Sequence, residues 1–430
     1  MSTTLTPCQE RASRLLEGPE NVFITGGAGS GKSFLIRHYL RDKDSREFPV
    51  LASTGAAAVL VGGRTFHSFF GLGIMEGGVE ATIEKAARNR QVVRRLKKVK
   101  GVVIDEVSML SGPTLRAAEI LARRVRESDL PWGGLRVIAV GDFAQLPPVE
   151  RHANNSKRSW AFLDPVWSRT GFQSCHLLTQ TRCLDAEYML ILAAIREGIV
   201  SSEVREYLDR HTRPVPEDFD GTRLFPRRDE TDRFNLKKLE ELPGDLHLFE
   251  TQYLGDERAL ETLKKYTPVP EVLALKEGAL VMLRQNDPQQ RWVNGTQGII
   301  IRIRPNVLTI ELLNGRWVEI EKASFTLLDA EGEPVAAAVN FPVSLAWATT
   351  IHKAQGATLD RMAVNLSQLW EPGQAYVALS RLRRGADLYI ERWEPRSIRV
   401  DPDVVNFYRS LLNNSPERTN KIDNAMHRLD

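Results

Sequence analysis

The sequence predicts an α/β protein built on two parallel-sheet units, with a small all-β piece set into the second. Three observations carry that reading. Short apolar runs that end in Gly, Asp or Thr alternate with helical stretches over the first third of the chain, the pattern of strands covered on both faces. The alternation returns after residue 170. It is interrupted over 286–341, where Asn-Gly pairs punctuate hairpin-like runs.

Taken in order, NVFIT (21–25), PVLAST (49–54), GVVID (101–105) and LRVIAVGD (135–142) are the first strands. KSFLIRHYLRD and GPTLRAAEILARRVRES are helices between them, which makes the sheet parallel. This first unit is expected to span 1–170. CHLLTQTR (175–182), TRLFPRRDETDRFNLKKLEEL (222–242) and RMAVNL (361–366) supply a second unit over 171–285 and 342–412. VNGTQGIIIRI and PNVLTIELLNGRWVEIE, with Asn-Gly at 294–295 and 314–315, form the all-β insert. The tail 413–430 has few apolar residues and is expected to fray.

Whole-chain properties exclude several classes. With 430 residues the chain can bury several cores, and 42% hydrophobic with 26% charged residues rules out a disordered chain. A net charge of +3 is nearly neutral, so nucleic-acid binding would need local patches. Cys8, Cys175 and Cys183 give neither a disulfide framework nor metal-ligand spacing, which suits a reducing cytosol. No apolar run reaches the ~18 residues of a membrane span, and MSTTLTPCQERASRLL lacks the apolar core of a signal peptide. The expected location is the cytoplasm or nucleoid.

The most specific chemistry lies in NVFITGGAGSGKSFLI. Gly26, Gly27, Ala28, Gly29, Ser30, Gly31, Lys32 and Ser33 make the spacing Gly-x-x-x-x-Gly-Lys-Ser after a strand and at the start of a helix. Glycines let backbone N–H groups wrap phosphates, and the helix N-terminus adds a favourable dipole. Lys32 is expected on the β- and γ-phosphates and Ser33 on magnesium. Asp105 and Glu106 close the strand GVVID; Asp105 would hold magnesium and Glu106 would deprotonate the attacking water. Gln145, past the strand that ends at Asp142, can hydrogen-bond a γ-phosphate and report its loss. Arg182 and Arg381 lie outside the first unit. On the residues alone a surface role is the commoner one for either, but arginines supplied across a cleft stabilise transition-state charge.

These motifs come in a recognisable series: TGAAAVLVGGRTFHSFFGLG, VVIDEVSML, GDFAQLPPV, LTQTR, TIHKAQGATLD and AYVALSR. Their order and spacing resemble superfamily-one helicases, most of all the petite-integration-frequency family, and LRAAEILARRVRESDLPWGG (115–134) resembles that family's signature. The resemblance runs from about Leu5 to Tyr389. It implies two RecA-like P-loop domains, a wedge insertion at about 66–100 in the first and a β-barrel insertion in the second. It implies ATP and magnesium as cofactors, translocation on single-stranded DNA, and 5′-to-3′ unwinding of duplex or G-quadruplex DNA. Gln9 matches the family's adenine-reading glutamine. Cys183 stands where the family has a glutamine, so one polar contact near the nucleotide is missing. The long extensions of eukaryotic members are not seen, which suggests a bacterial or phage-type enzyme, a monomeric motor for which a dimer is possible.

The resemblance also turns two segments into expected DNA grips. In the first domain these are Thr54 and Gly55 with His67, Ser68 and Phe69; the rings of RTFHSFFGLG can stack on unpaired bases, or Phe66 and Phe70 can serve as core anchors. In the second domain, TIHKAQG offers Thr350, His352 and Lys353 to phosphates, and Gly356 couples that turn to the nucleotide. The run EKAARNRQVVRRLKKVK (84–100), with eight basic residues against one acid, is either a wedge helix tracking the backbone at a fork or a solvated basic helix. Two rival functions remain: an RNA-directed helicase, and an ATP-gated single-strand binding switch or subunit of a nuclease complex.

Overall fold

Five parallel pairings set out the first sheet. Its order is Arg64–Thr65, Val50–Ala52, Gly101–Asp105, Arg136–Gly141, Val22–Gly26, Gln173–Leu177. The computed structural model describes residues 5–53, 64–73, 75, 78–148, 158–180, 183, 185–217, 219–287, 289, 291–292, 294–328 and 334–413. Because every pair is parallel, Gly26, Asp105 and Gly141 end at one rim, the edge where open α/β sheets bind ligands. Val22–Gly26 is buried throughout, which is why it reads as a continuous apolar run.

The strand Gln173–Leu177 pairs with Val22–Gly26. It therefore completes the first sheet instead of opening the second unit, and the division expected at 170 falls one strand early. The second sheet is Ala348–Thr350, Thr222–Phe225, Met362–Asn365, Leu388–Arg392, again parallel. The β region between its strands is larger than 286–341. It contains a five-stranded sheet that takes in Leu280–Leu283 and Val343–Leu345, and two smaller sheets that reach back to His247–Glu250 and Gln252–Gly255. Both Asn-Gly pairs do sit in turns joining antiparallel strands.

The last described helix, Pro402–Asn413, expected in the second unit, packs on the first. Val404 and Tyr408 join Phe23, Phe143 and Trp160 in one core, and the Phe407 ring stacks on Phe162 at 4.4 Å. The basic run 84–100 is two helices, Gly78–Ala87 and Arg90–Lys98, because Asn89 stops one and caps the other through bonds from Gln91 N (3.0 Å) and Val92 N (3.3 Å). Among the described residues no helix is long and apolar enough to cross a membrane.

The aromatic cluster finds its place here. Phe66–Phe70 is a single helical turn capped by Thr65, whose Oγ1 accepts Ser68 N–H at 3.1 Å. Positions 66, 69 and 70 share a face, and their rings are 0%, 1% and 0% exposed. Phe70 lies 5.9 Å from Trp132, and the Arg95 guanidinium covers Phe69 at 4.9 Å. Phe69 is thus a core ring under an arginine, not a stacking platform on the surface; His67 is half-buried and Ser68 exposed. Phe69→Ala should cost about 3–5 kcal/mol of stability, read as a fall in the denaturation midpoint. An unchanged midpoint with weakened single-strand binding would return the ring to the surface.

Candidate nucleotide site and nucleic-acid interface

The strand Val22–Gly26 reaches the rim, and residues 27–31 turn the chain into the helix Lys32–Leu40. Gly29 and Gly31 have φ of 79° and 83°, a left-handed backbone that directs successive N–H groups inward. Lys32 Nζ donates to Gly26 O (2.8 Å) and Gly27 O (3.1 Å). Burial lowers its pKa, against the opposing pull of the Asp142 and Glu106 carboxylates. The ammonium is held inside the loop by carbonyls that phosphate oxygens can replace. Gln9 is buried at the start of the helix Pro7–Glu17, where Oε1 accepts Thr6 N–H at 3.0 Å and Nε2 donates to Ser30 O at 3.4 Å. It lies against the phosphate loop. Ser33 is exposed at the helix start.

Asp105 and Glu106 stand at the rim end of Gly101–Asp105, one strand removed from Val22–Gly26 across Arg136–Gly141. Asp105 Oδ1 accepts Glu106 N–H at 3.0 Å, and burial raises its pKa, with that bond and Lys32 opposing. Glu106 has φ 52° and ψ 49°, a left-handed conformation rare for a residue with a side chain and typical of functional sites. Its Oε2 is buried without a hydrogen-bond partner among the described residues. Burial first, then the neighbouring Asp105, lift its pKa to about 7, while Lys32 and Arg381 act against the rise. A carboxylate free to accept a proton and poised near neutrality is suited to general-base work.

Among the described residues the second domain reaches this rim at several places. Tyr376 Oη, in the helix Gln374–Leu379, accepts the Ala28 N–H at 2.8 Å. Gly373, at φ 80°, comes so near the Ala144 and Gln145 carbonyls that a Cβ would collide with both; Gln145 is 4% exposed. Arg196, the last residue of the helix Ala186–Arg196, donates to both oxygens of Asp142 at 2.8 and 3.2 Å. Tyr408 Oη adds a bond to Asp142 Oδ1 at 3.0 Å, accepts Phe143 N–H at 2.9 Å and meets Thr25 Oγ1 at 2.9 Å. Burial alone would raise the Asp142 pKa, but the Arg196 guanidinium overrides it and holds the carboxyl at about 2.

Arg381 is 1% exposed, its Nε on Val377 O at 2.8 Å and Nη2 on Ser380 Oγ at 2.7 Å. Its charge is felt at Glu106, as are those of Lys32 and Asp105, while Gln145 lies against Gly373. Arg182, Thr54 and Gly55 lie outside the described residues. In the second domain, Thr350 Oγ1 accepts Lys353 N–H at 3.1 Å and fixes a turn on which His352 and Lys353 are exposed. Gly356 closes the turn at φ 79° with open space around it.

Comparison with known proteins accords with this geometry. The PIF1-like helicase family profile matches residues 9–201. The ATP-dependent DNA helicase Pif1 of Bdellovibrio bacteriovorus is 55% identical over 407 residues, 95% of this chain and 92% of that protein. The chain belongs to the PIF1-like helicase family. Among solved structures, Bacteroides sp Pif1 with ADP-AlF4 superposes with a TM-score of 0.85 at 28% identity, covering 96% of this chain and 98% of that one. Bacteroides Pif1 with ADP-AlF3 and single-stranded DNA gives 0.65 at the same identity, covering 96% and 99%. The overall shape here is nearer the former.

Sequence reasoning missed Tyr376, Arg196 and Tyr408. Tyr376 lies within AYVALSR, so its motif pointed at the site although only Arg381 was taken from it. Arg196 and Tyr408 carry no local signal. If Glu106 is the base, turnover must rise with pH through about 7, because only the carboxylate accepts the proton. Glu106→Gln should lower kcat by about 10²–10⁴-fold with nucleotide affinity retained. A wild-type pH–rate profile that is flat between about pH 6 and 8 would place the base elsewhere.

Proposed function

We propose that this chain, an ATP-dependent DNA helicase of the PIF1-like family, moves 5′ to 3′ along single-stranded DNA and opens duplex or G-quadruplex DNA ahead of it. The observation that supports this reading is that the rim carrying the phosphate loop meets the second domain, through Tyr376 at Ala28, Gly373 at Ala144 and Gln145, and the charge of Arg381 at Glu106. The turn bearing His352 and Lys353 belongs to that same second domain. Nucleotide binding and hydrolysis would thereby shift the two domains between states that hold the strand differently.

Within that reading ATP lies on residues 26–33, with Gln9 at the base side and Gly356 linking the DNA turn to the nucleotide. Magnesium would be held by Ser33 and Asp105, and it would supply charge neutralisation at the phosphates. Arg182 and Arg381 would stabilise the charge that builds on the transferred phosphoryl group. Thr54, Gly55, His67 and Ser68 grip the strand in the first domain, and Thr350, His352 and Lys353 in the second. The bacterial relative favours a cytoplasmic motor acting at the nucleoid, with one copy sufficient for movement.

A duplex with a 5′ single-stranded tail should be unwound and a 3′-tailed duplex left intact. Lys32→Ala should open neither, yet bind single strands normally, because the phosphate loop is separate from the DNA turns. Preferential opening of the 3′-tailed substrate would contradict the polarity and leave the ATPase assignment standing.

A further inference from the structure

The β insert packs closely on the second-domain turn: Leu280 and Met282 share a core with Ile351 and Ala354. Leu283 O accepts the Gly295 N–H at 2.8 Å. Gly295, at φ 96°, lies so close to Ala357 that a Cβ would come within 2.8 Å of the alanine Cβ, so only glycine fits. The Gln297 amide also bonds to Thr222 Oγ1 in the second sheet. Arg284, which follows the strand Leu280–Leu283, is therefore carried to the neighbourhood of the turn that bears Lys353.

Arg284 is 8% exposed. Its guanidinium makes one hydrogen-bond contact among the described residues, Nη1 to the Met282 thioether at 3.3 Å, and Nε has none. The neighbouring carboxylate, Asp287, is already held by Arg291 through two bonds of 2.9 Å. A buried ion without a counter-charge costs several kcal/mol, and buried polar groups are nearly always partnered. Burial accordingly pushes the Arg284 pKa down. Lost solvation lowers that of Lys353 too, and Arg228 and Arg284 add to the fall. Asp232 acts against it, but that carboxylate is engaged by Arg228 at 3.3 Å. Among the described residues Arg284 has no carboxylate partner, and the exposed Lys353 stands in reach of its charge.

We propose that Arg284 and Lys353 together bind one phosphodiester of the single strand, Arg284 reaching it from the β insert and Lys353 from the second domain. This rests on the reading of the chain as a single-strand motor. A planar guanidinium can meet two phosphate oxygens at once, and an ammonium adds a point charge beside it. The bound phosphate supplies the missing counter-charge and joins the insert to the second-domain grip.

The test is binding of a labelled oligothymidylate to the full chain across a range of salt concentrations. Arg284→Met keeps the side-chain bulk and removes the charge. Affinity should fall about tenfold, and the slope of log affinity against log salt should become shallower by about 0.7, the loss of one phosphate contact on a single strand. The melting temperature should hold or rise, since an unpaired buried charge has gone. Lys353→Ala should change the slope similarly, and the double variant should lose little more. Should Arg284→Met fold poorly, Arg284→Lys must keep the slope while binding more weakly. Normal affinity and slope in the Arg284 variants, with Lys353→Ala weakened, would overturn the proposal and leave the motor reading intact. A lower melting temperature with an unchanged slope would also overturn it, making Arg284 structural. Wild-type chain that fails to bind the oligonucleotide would overturn both.

Discussion

The Asp142 carboxylate is fully buried at the end of a central strand, and the relation between the domains depends on how its charge is met. Left alone it would cost several kcal/mol or take up a proton. It is met instead by Arg196 from the second domain and Tyr408 from the C-terminal helix. The Arg196 guanidinium also lies 4.5 Å over the Tyr408 ring. Three separate parts of the chain must therefore converge beside the phosphate loop. Tyr376 on Ala28 and Gly373 against Gln145 extend the same seam along the rim, so the second domain abuts the phosphate loop itself.

Around that seam the site stores cost where chemistry will use it. Glu106 holds a left-handed backbone, and its Oε2 is buried without a partner. Lys32 occupies the phosphate loop by bonding to its carbonyls. Neither arrangement is the one these groups would take for stability alone. Cost of this kind is concentrated at functional positions.

What could be read from the sequence was local. The phosphate loop, the Asp-Glu strand end and the second-domain turn are contiguous segments whose chemistry is written in adjacent residues. The Asn-Gly turns were legible for the same reason. Long-range pairing was not. Residues 173–177 look like any parallel strand, and only the pairing of Cys175 with Ile24 decides which sheet owns them. Phe69 was expected on unpaired bases, with Phe66 and Phe70 open to a reading as core anchors, and all three rings are buried. Their common face becomes visible only once Trp132 and the helix Gly112–Arg126 are packed against it. The Asp142 contacts join residues 54 and 266 positions apart, beyond the reach of any local pattern.

In the proposed motor, nucleotide occupancy must reach the grip on single strands across the seam that the Asp142–Arg196 pair helps to form. The most direct measurement is the ratio of single-strand affinities with and without a non-hydrolysable ATP analogue, which is a coupling free energy between the two sites. It should be made for the wild-type chain and for the double variant Asp142→Asn/Arg196→Met, which removes both charges and leaves neither buried alone. The ratio should collapse towards one in the variant. A ratio equal to that of the wild type, in a folded variant that still binds both ligands, would contradict the claim.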